Sequence, residues 1–345
     1  MINYRLLPYK VNFISKREHE IPEGVKLIKS PEIWEDSDQG EGIVIAILDT
    51  GCDSIHPDLK DRIIGGKNVT SIGETSDFSD VDGHGTHLAG TIAANGQGIA
   101  GVAPKSRLMI YRVFAQYPDG LGASNEDIIR AIDECINWNK MHDSKDRIRI
   151  INMSFGGPDD DLYLHEAIKR AVDAGILIIC AAGNEGDISK GGDCSATKDE
   201  YSYPAVYPEV ISVGAVTLDK EFLCFPDTNL EIDLVAPGVE ILSTYPKNFD
   251  HGDSSHGDSS HRDEIGDGYA ILSGTSMAAP HVSGAAALII KQCENDFERT
   301  LTETEIYAQL IKRTISLGMD RRIEGNGLLD LTIGYRVFSN KKDIR

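Results

Sequence analysis

The chain has 345 residues, and its 55 acidic against 34 basic side chains give a formal net charge of -21. That balance speaks against nucleic acid or anionic membranes as partners and for a soluble protein. No apolar run reaches the length of a membrane span, and residues 1–10 lack the uninterrupted apolar segment of a secretion signal.

Residues 1–20 form a short extension without periodicity, in which Leu6-Leu7-Pro8-Tyr9 is an apolar cluster interrupted by a proline; alone it reads as a loose tail. Residues 42–49 are a near-continuous β-branched run ending in Asp49, expected as a strand buried on both faces. Asp82-Gly83-His84-Gly85-Thr86-His87 then opens a Gly/Ala-rich helix. Residues 107–114 give another strand, and over 125–138 Ile128, Ile129, Ile132, Cys135 and Ile136 fall at helical spacing. A strand at 148–153, a helix at 162–174 and strands at 176–181, 210–216 and 232–235 follow. A helix from Ser276 and an amphipathic helix at 303–312 close the pattern. The alternation predicts an α/β fold: one doubly wound, mostly parallel sheet with helices on both faces, formed by residues 21–345 as a single domain. In such sheets chemistry gathers at the carboxyl ends of strands. Asp49 stands at one such end and Asn184 shortly after another.

The six cysteines (52, 135, 180, 194, 224, 293) contain no CxxC pair, and several stand in apolar stretches. Free thiols in a reducing, cytoplasmic setting are therefore expected. Residues 251–261 repeat His, Asp and Ser with a period of five. Histidines alternating with aspartates are residue types that hold transition metals, but the composition cannot build a core. The stretch is read as a solvated insertion at about 247–268.

The chemistry concentrates around Gly274-Thr275-Ser276-Met277-Ala278-Ala279-Pro280-His281. The glycine and threonine suit a tight turn. Ser276 is thereby expected in the first turn of a buried helix, with Pro280 in that same turn. There, unpaired backbone N–H groups favour a developing anion. A serine hydroxyl becomes a nucleophile only when a base takes its proton and a carboxylate orients that base. His84, between two glycines, could reach across a cleft; His87, a turn further on, reads as a packed histidine. Asp49 is the natural orienting carboxylate, with Asp53 and Asp58 as positional alternatives. Asn184, on a glycine-flexible turn, offers an amide to an oxyanion.

Asp49-Thr50-Gly51, His84-Gly85-Thr86-His87, Ala182-Gly183-Asn184-Glu185-Gly186 and Gly274-Thr275-Ser276-Met277-Ala278, in that order, resemble the subtilisin-like serine proteases over about residues 22–290. The leading Leu6-Leu7-Pro8-Tyr9, the missing secretion signal and the free cysteines narrow the resemblance to the intracellular subtilisins of bacteria. It implies an endopeptidase with Asp49, His84 and Ser276 as its triad, and Asn184 with the Ser276 N–H as its oxyanion hole. It implies that Ser154, Phe155 and Gly156 pair with substrate backbone opposite Gly120, Leu121 and Gly122. Ala181, Ala182 and Gly183 would wall the primary pocket, and Tyr203–Pro204 would be cis. It further implies that residues 1–20 act as a built-in inhibitor, kinked at Pro8, with cleavage somewhere in 16–20 releasing activity. Calcium is the implied cofactor. Asp58 matches a tight-site ligand beside a loop, 95–100, that has no carboxylate; Glu231 and Asp233 with the carbonyls of Ala205, Tyr207 and Val210 match a weaker site. Partners are then protein and peptide substrates and the chain's own extension, with a homodimer left open. Two other classes compete. One is a peptide-binding pseudoprotease without turnover. The other is an esterase-like hydrolase, opposed by the missing Gly-x-Ser-x-Gly elbow and the Asp-first order.

Overall fold

The computed structural model describes residues 2–6, 12–14, 17–186, 198–247 and 267–334. Two short strands, β1 (Arg5–Leu6) and β2 (Asn12–Ile14), precede helix α1 (Glu23–Leu27). Then come β3 (Val44–Asp49), β4 (Ile63–Asn68), α2 (His84–Ala93) and β5 (Arg107–Arg112). The hairpin β6 (Ala115–Tyr117) and β7 (Gly120–Gly122) leads into α3 (Asn125–Met141), β8 (Ile148–Met153), β9 (Phe155–Gly156), α4 (Leu162–Asp173) and β10 (Leu177–Ala181). The remainder is β11 (Val210–Val216), β12 (Leu234–Pro237), β13 (Ile241–Thr244), β14 (Tyr269–Leu272), α5 (Thr275–Phe297), α6 (Glu303–Lys312), β15 (Thr314–Ile315), α7 (Arg321–Glu324) and β16 (Leu328–Leu329).

Nine strands form the main sheet in the order β15-β16-β12-β11-β10-β8-β3-β5-β4, parallel throughout except at the β15–β16 edge. Every residue of β3, β10 and β11 is buried, as a strand covered on both faces requires. The two-residue period of β3 divides the core. Ile45 and Ile47 pack on the face shared with α2 and α5, whereas Val44, Ala46 and Leu48 pack on the face shared with α3 and α4. Side-chain caps begin the outer helices: Ser124 for α3, Asp161 for α4, and a Thr302/Glu305 capping box for α6. After β3 the chain builds outward through β4 and β5, then crosses back to lay β8 on the opposite side of β3. The strand order thus reverses between β3 and β8, so a crevice opens at their carboxyl ends, where Asp49 and Ser154 lie.

Some expectations need correction. Pro280 lies in the second turn of α5, because the helix starts at Thr275. Strands β4, β13 and β14 were not predicted; the Gly65-Gly66 pair hides β4, and Gly66 is there because a side chain would strike the Phe78 ring at 2.5 Å. Cys52, Cys135, Cys180 and Cys293 are buried free thiols. Cys224, by contrast, is disulfide-bonded, against the expectation of free thiols; although it stands in the apolar run Phe222-Leu223-Cys224-Phe225, it is exposed in a loop.

Candidate active site

Asp49, the last residue of β3, is fully buried and accepts its neighbour's N–H from Thr50 at 2.8 Å. The same oxygen faces His84 Nδ1 at 2.8 Å. His84 is the first residue of α2, whose cap residue Gly83 has a left-handed backbone and no side chain to cap with. Asp80 supplies what Gly83 lacks. Its carboxylate accepts the N–H groups of Gly83 at 2.8 Å and Thr86 at 2.8 Å and the hydroxyls of Thr50 at 2.7 Å and Thr86 at 2.5 Å. Thr50 Oγ1 in turn accepts the Gly85 N–H at 2.9 Å. This network ties the end of β3 to the start of α2, and so fixes the imidazole on the carboxylate. Burial pushes the His84 pKa down, but the charge and hydrogen bond of Asp49 outweigh it, and the net shift is upward. His87 differs. It is buried against the Ile241 carbonyl at 2.9 Å, and burial drives its pKa down to about 3, leaving a neutral packed histidine.

Ser276 is the second residue of α5. Its hydroxyl donates to the Ser154 carbonyl at 2.9 Å, and Ser154 Oγ returns a hydrogen bond to the Ser276 carbonyl at 3.0 Å. The second bond has a cause in the sequence: the helical donor to that carbonyl would be the N–H of residue 280, and Pro280 has none. Asn152 Nδ2 supports Ser154 Oγ at 3.1 Å, and Ser283 Oγ donates to Asn152 Oδ1 at 2.7 Å, joining β8 to α5. Asn184 follows β10. Its Oδ1 is held by the N–H of Thr275 at 3.0 Å and the Thr275 hydroxyl at 2.8 Å. Its buried Nδ2 has no hydrogen-bond partner among the described residues. A methyl group placed on Gly274 would sit 3.2 Å from that Nδ2 and 3.7 Å from the Ser276 N. Two donors therefore converge on a space that only glycine leaves open.

Beside this point β7 and β9 form the walls of a groove, and the chain's own N-terminus lies in it. Arg5 pairs with Gly156 and Leu6 with Phe155, antiparallel, while Tyr4 bridges Ala123. The Tyr4 N–H donates to the Ala123 carbonyl at 3.0 Å, and the Ala123 N–H returns a bond to the Tyr4 carbonyl at 3.0 Å. The Tyr4 ring is buried edge-on to Phe155, 5.8 Å between centroids. A side chain on Gly122 would strike Ile2 at 2.3 Å, and one on Gly157 the Asn3 carbonyl at 2.6 Å. Leu7, Pro8 and Tyr9 lie outside the described residues. Further on, β2 adds an edge strand to β14, just before the turn that carries Ser276.

The Subtilase family model matches residues 40–335. The chain belongs to the subtilase family. An intracellular serine protease of Paenibacillus polymyxa is 47% identical over 331 residues, covering 95% of this chain and 90% of that protein. The major intracellular serine protease of Bacillus subtilis (strain 168) is 47% identical over 337 residues, covering 95% and 93%. Subtilisin DY of Bacillus licheniformis is 35% identical over 313 residues, covering 90% and 97%. This subtilase is a serine protease acting on protein substrates, and no helix among its described residues is long and apolar enough to cross a membrane.

Several of the calcium ligands implied by the resemblance accept hydrogen bonds from the chain itself in this subtilase. Asp58 spends both oxygens on donors: the N–H groups of Gly98 at 2.7 Å and Ile99 at 3.0 Å, and the Tyr269 hydroxyl at 2.9 Å. The carboxylate thus braces the short 95–100 loop itself. Asp233 likewise accepts the Ser212 N–H at 2.9 Å and the Tyr307 hydroxyl at 2.8 Å, and the Tyr207 carbonyl accepts the Val210 N–H at 3.0 Å. Glu231 is exposed, and neither Ala205 nor Val210 adds a carboxylate. No group of three or more His, Cys, Asp or Glu side chains among the described residues could hold a metal. Most of the His/Asp insertion, 248–266, lies outside the described residues. Asp80 and Asn152 were not singled out from the sequence. The signal for Asp80 was present, in an acid three residues before a glycine that cannot cap.

Proposed function

We propose that the chain is an intracellular serine endopeptidase that acylates Ser276, and that residues 1–20 restrain it until they are cut away. The observation that carries the reading is the pairing of Arg5 and Leu6 with β9, which puts a peptide backbone where a substrate strand would add. Leu6, the last described residue of that pairing, lies opposite Phe155, one step along β9 from Ser154, whose carbonyl accepts the Ser276 hydroxyl. The resemblance implies a kink at Pro8, which lies outside the described residues, and a kinked backbone would present no scissile bond.

In the proposed reaction Ser276 Oγ turns about χ1 from the Ser154 carbonyl to the imidazole of His84. The imidazole takes the hydroxyl proton as oxygen attacks the substrate carbonyl. Asp49 holds Nδ1 and stabilises the imidazolium. The oxyanion forms between Asn184 Nδ2 and the Ser276 N–H, donors already in place, so that little reorganisation is needed. His84 then protonates the leaving amine, the carbon–nitrogen bond breaks, and water repeats the sequence to release the acid.

The test compares the full chain, a chain lacking residues 1–18 and Ser276→Ala on a chromogenic peptide. The truncated chain is expected to act at once, the full chain after a lag, and Ser276→Ala not at all. Equal initial rates in the first two would overturn the inhibitory role. Failure of a fluorophosphonate to label Ser276 would favour a peptide-binding protein without turnover.

A further inference from the structure

The end of the pocket beside Asn184 carries an acid that the reaction above does not use. Two of its walls, Gly156 and Gly183, lean on the same residue. A methyl group on Gly156 would lie 1.9 Å from Ser202 Oγ, and one on Gly183 would lie 2.9 Å from Ser202 Cβ. Ser202 therefore packs against both. Asp227 stands next to it: the same methyl on Gly183 would come within 2.0 Å of Asp227 Oδ2.

Asp227 is held firmly there. Its N–H donates to the Gly183 carbonyl at 3.0 Å, and its Oδ1 accepts the Glu185 N–H. The Gly186 N–H also faces the carboxylate. Only 1% of the residue is exposed, yet Oδ2 makes no hydrogen bond among the described residues. An isolated buried carboxylate oxygen is expensive, and two further acids make it more so. Burial first, and then the charges of Glu200 and Glu185, push the Asp227 pKa up to about 8. The Glu185 and Gly186 N–H groups offset only part of this, so a cation at Oδ2 would be favourable. A basic side chain of a bound substrate would supply that cation.

We infer that Asp227 makes this pocket select a basic side chain, lysine or arginine, on the acyl side of the bond that is cut. The inference rests on the groove and pocket reading proposed above. An extended peptide bound along β9 sends the side chain opposite Ser154 between Gly156 and Gly183. A lysyl chain of that length carries its ammonium past Ser202 to Oδ2, whereas an apolar chain leaves the oxygen unpaired.

Two measurements test this on the full chain after its activity has reached a plateau. The first compares peptides that differ only in lysine against norleucine before the nitroanilide. Lysine is expected to be preferred by at least about 30-fold, the low end of what a buried charge pair contributes. Equal rates or a norleucine preference would overturn the assignment, while absence of Ser276-dependent cleavage of both peptides would instead sink the groove reading. The second measurement is Asp227→Asn, which keeps the shape. It is expected to remove most of the lysine preference and leave norleucine cleavage within about 3-fold. A variant that folds and keeps the preference would also overturn it; one that fails to fold leaves the wild-type comparison to decide.

Discussion

Pro280 and Ser154 form a coupled pair whose energy can be measured. In wild-type protein the Ser276 carbonyl is buried inside α5, has no helical donor because of Pro280, and depends on Ser154 Oγ at 3.0 Å. Ser154→Ala strands that carbonyl, and it also deprives Asn152 Nδ2 of its acceptor. A buried unsatisfied group costs about 1–3 kcal/mol, so the single substitution is expected to destabilise by roughly 2–4 kcal/mol. Pro280→Ala restores an N–H at position 280, and that N–H lies in helical register with the Ser276 carbonyl. In that background Ser154→Ala should cost about 1–2 kcal/mol less, because the carbonyl no longer waits on the hydroxyl. The assay is urea unfolding of the four proteins of the cycle, each also carrying Ser276→Ala to stop self-digestion while keeping the carbonyl in question. Additivity within about 0.5 kcal/mol would show that the carbonyl does not depend on Ser154, and would refute the reasoning.

Four further outcomes are expected. Because His84 must be neutral to accept a proton and its pKa is raised, kcat/KM should fall as pH drops through a value above the ordinary 6.5; an acid limb at or below 6.5 on an uncharged peptide contradicts this. His87→Gln should leave that limb where it is, since burial keeps His87 neutral throughout the range. Gly274→Ala fills the space between Asn184 Nδ2 and the Ser276 N–H, so kcat should fall by about 10²–10³ with KM little changed, and a retained kcat would place the oxyanion elsewhere. Asp58→Asn should lower the unfolding midpoint by the same amount with added calcium and with chelator, because its oxygens serve N–H and O–H donors; a shift that calcium alone produces would restore the metal reading.

Much of this was legible because the signals were local. Residues 148–153, 210–216 and 303–312 carry their period in a few successive side chains, and the structure places those elements at the same bounds. The four Gly-rich motifs were equally readable, since each needs glycine for a tight turn or a close approach. What was not legible depends on partners distant in sequence. Asp80 looks like any loop acid until α2 folds back over Thr50. Asp58 reads as a metal ligand from the sequence, which gives no sign that Tyr269, 211 residues away, donates to it. Asp227 gains its meaning only when the turn at Gly183 is laid against it. Strands β13 and β14 were hidden because the pairing that makes them strands spans the 247–268 insertion.

The place of β1 in the groove bears on why a short segment could hold a protease in check. Among the described residues, Asn3, Tyr4 and the two residues of β1 bond to the groove walls, few contacts for a free peptide of that length to bind tightly. Tethering changes the comparison. A segment joined to the enzyme by a short linker meets its site at an effective concentration on the order of millimolar, without any new contact. A free peptide binding with a Kd of about 10 μM would, once tethered, occupy the groove about 99% of the time. On the proposed reading, one cut beyond β2 would remove the tether, and with it most of the affinity, so the restraint would be released without weakening the groove. Adding the peptide comprising residues 1–18 in trans to the truncated chain should therefore inhibit only at concentrations far above that of the enzyme. Stoichiometric, tight inhibition would mean that contacts, and not the tether, hold the segment in place.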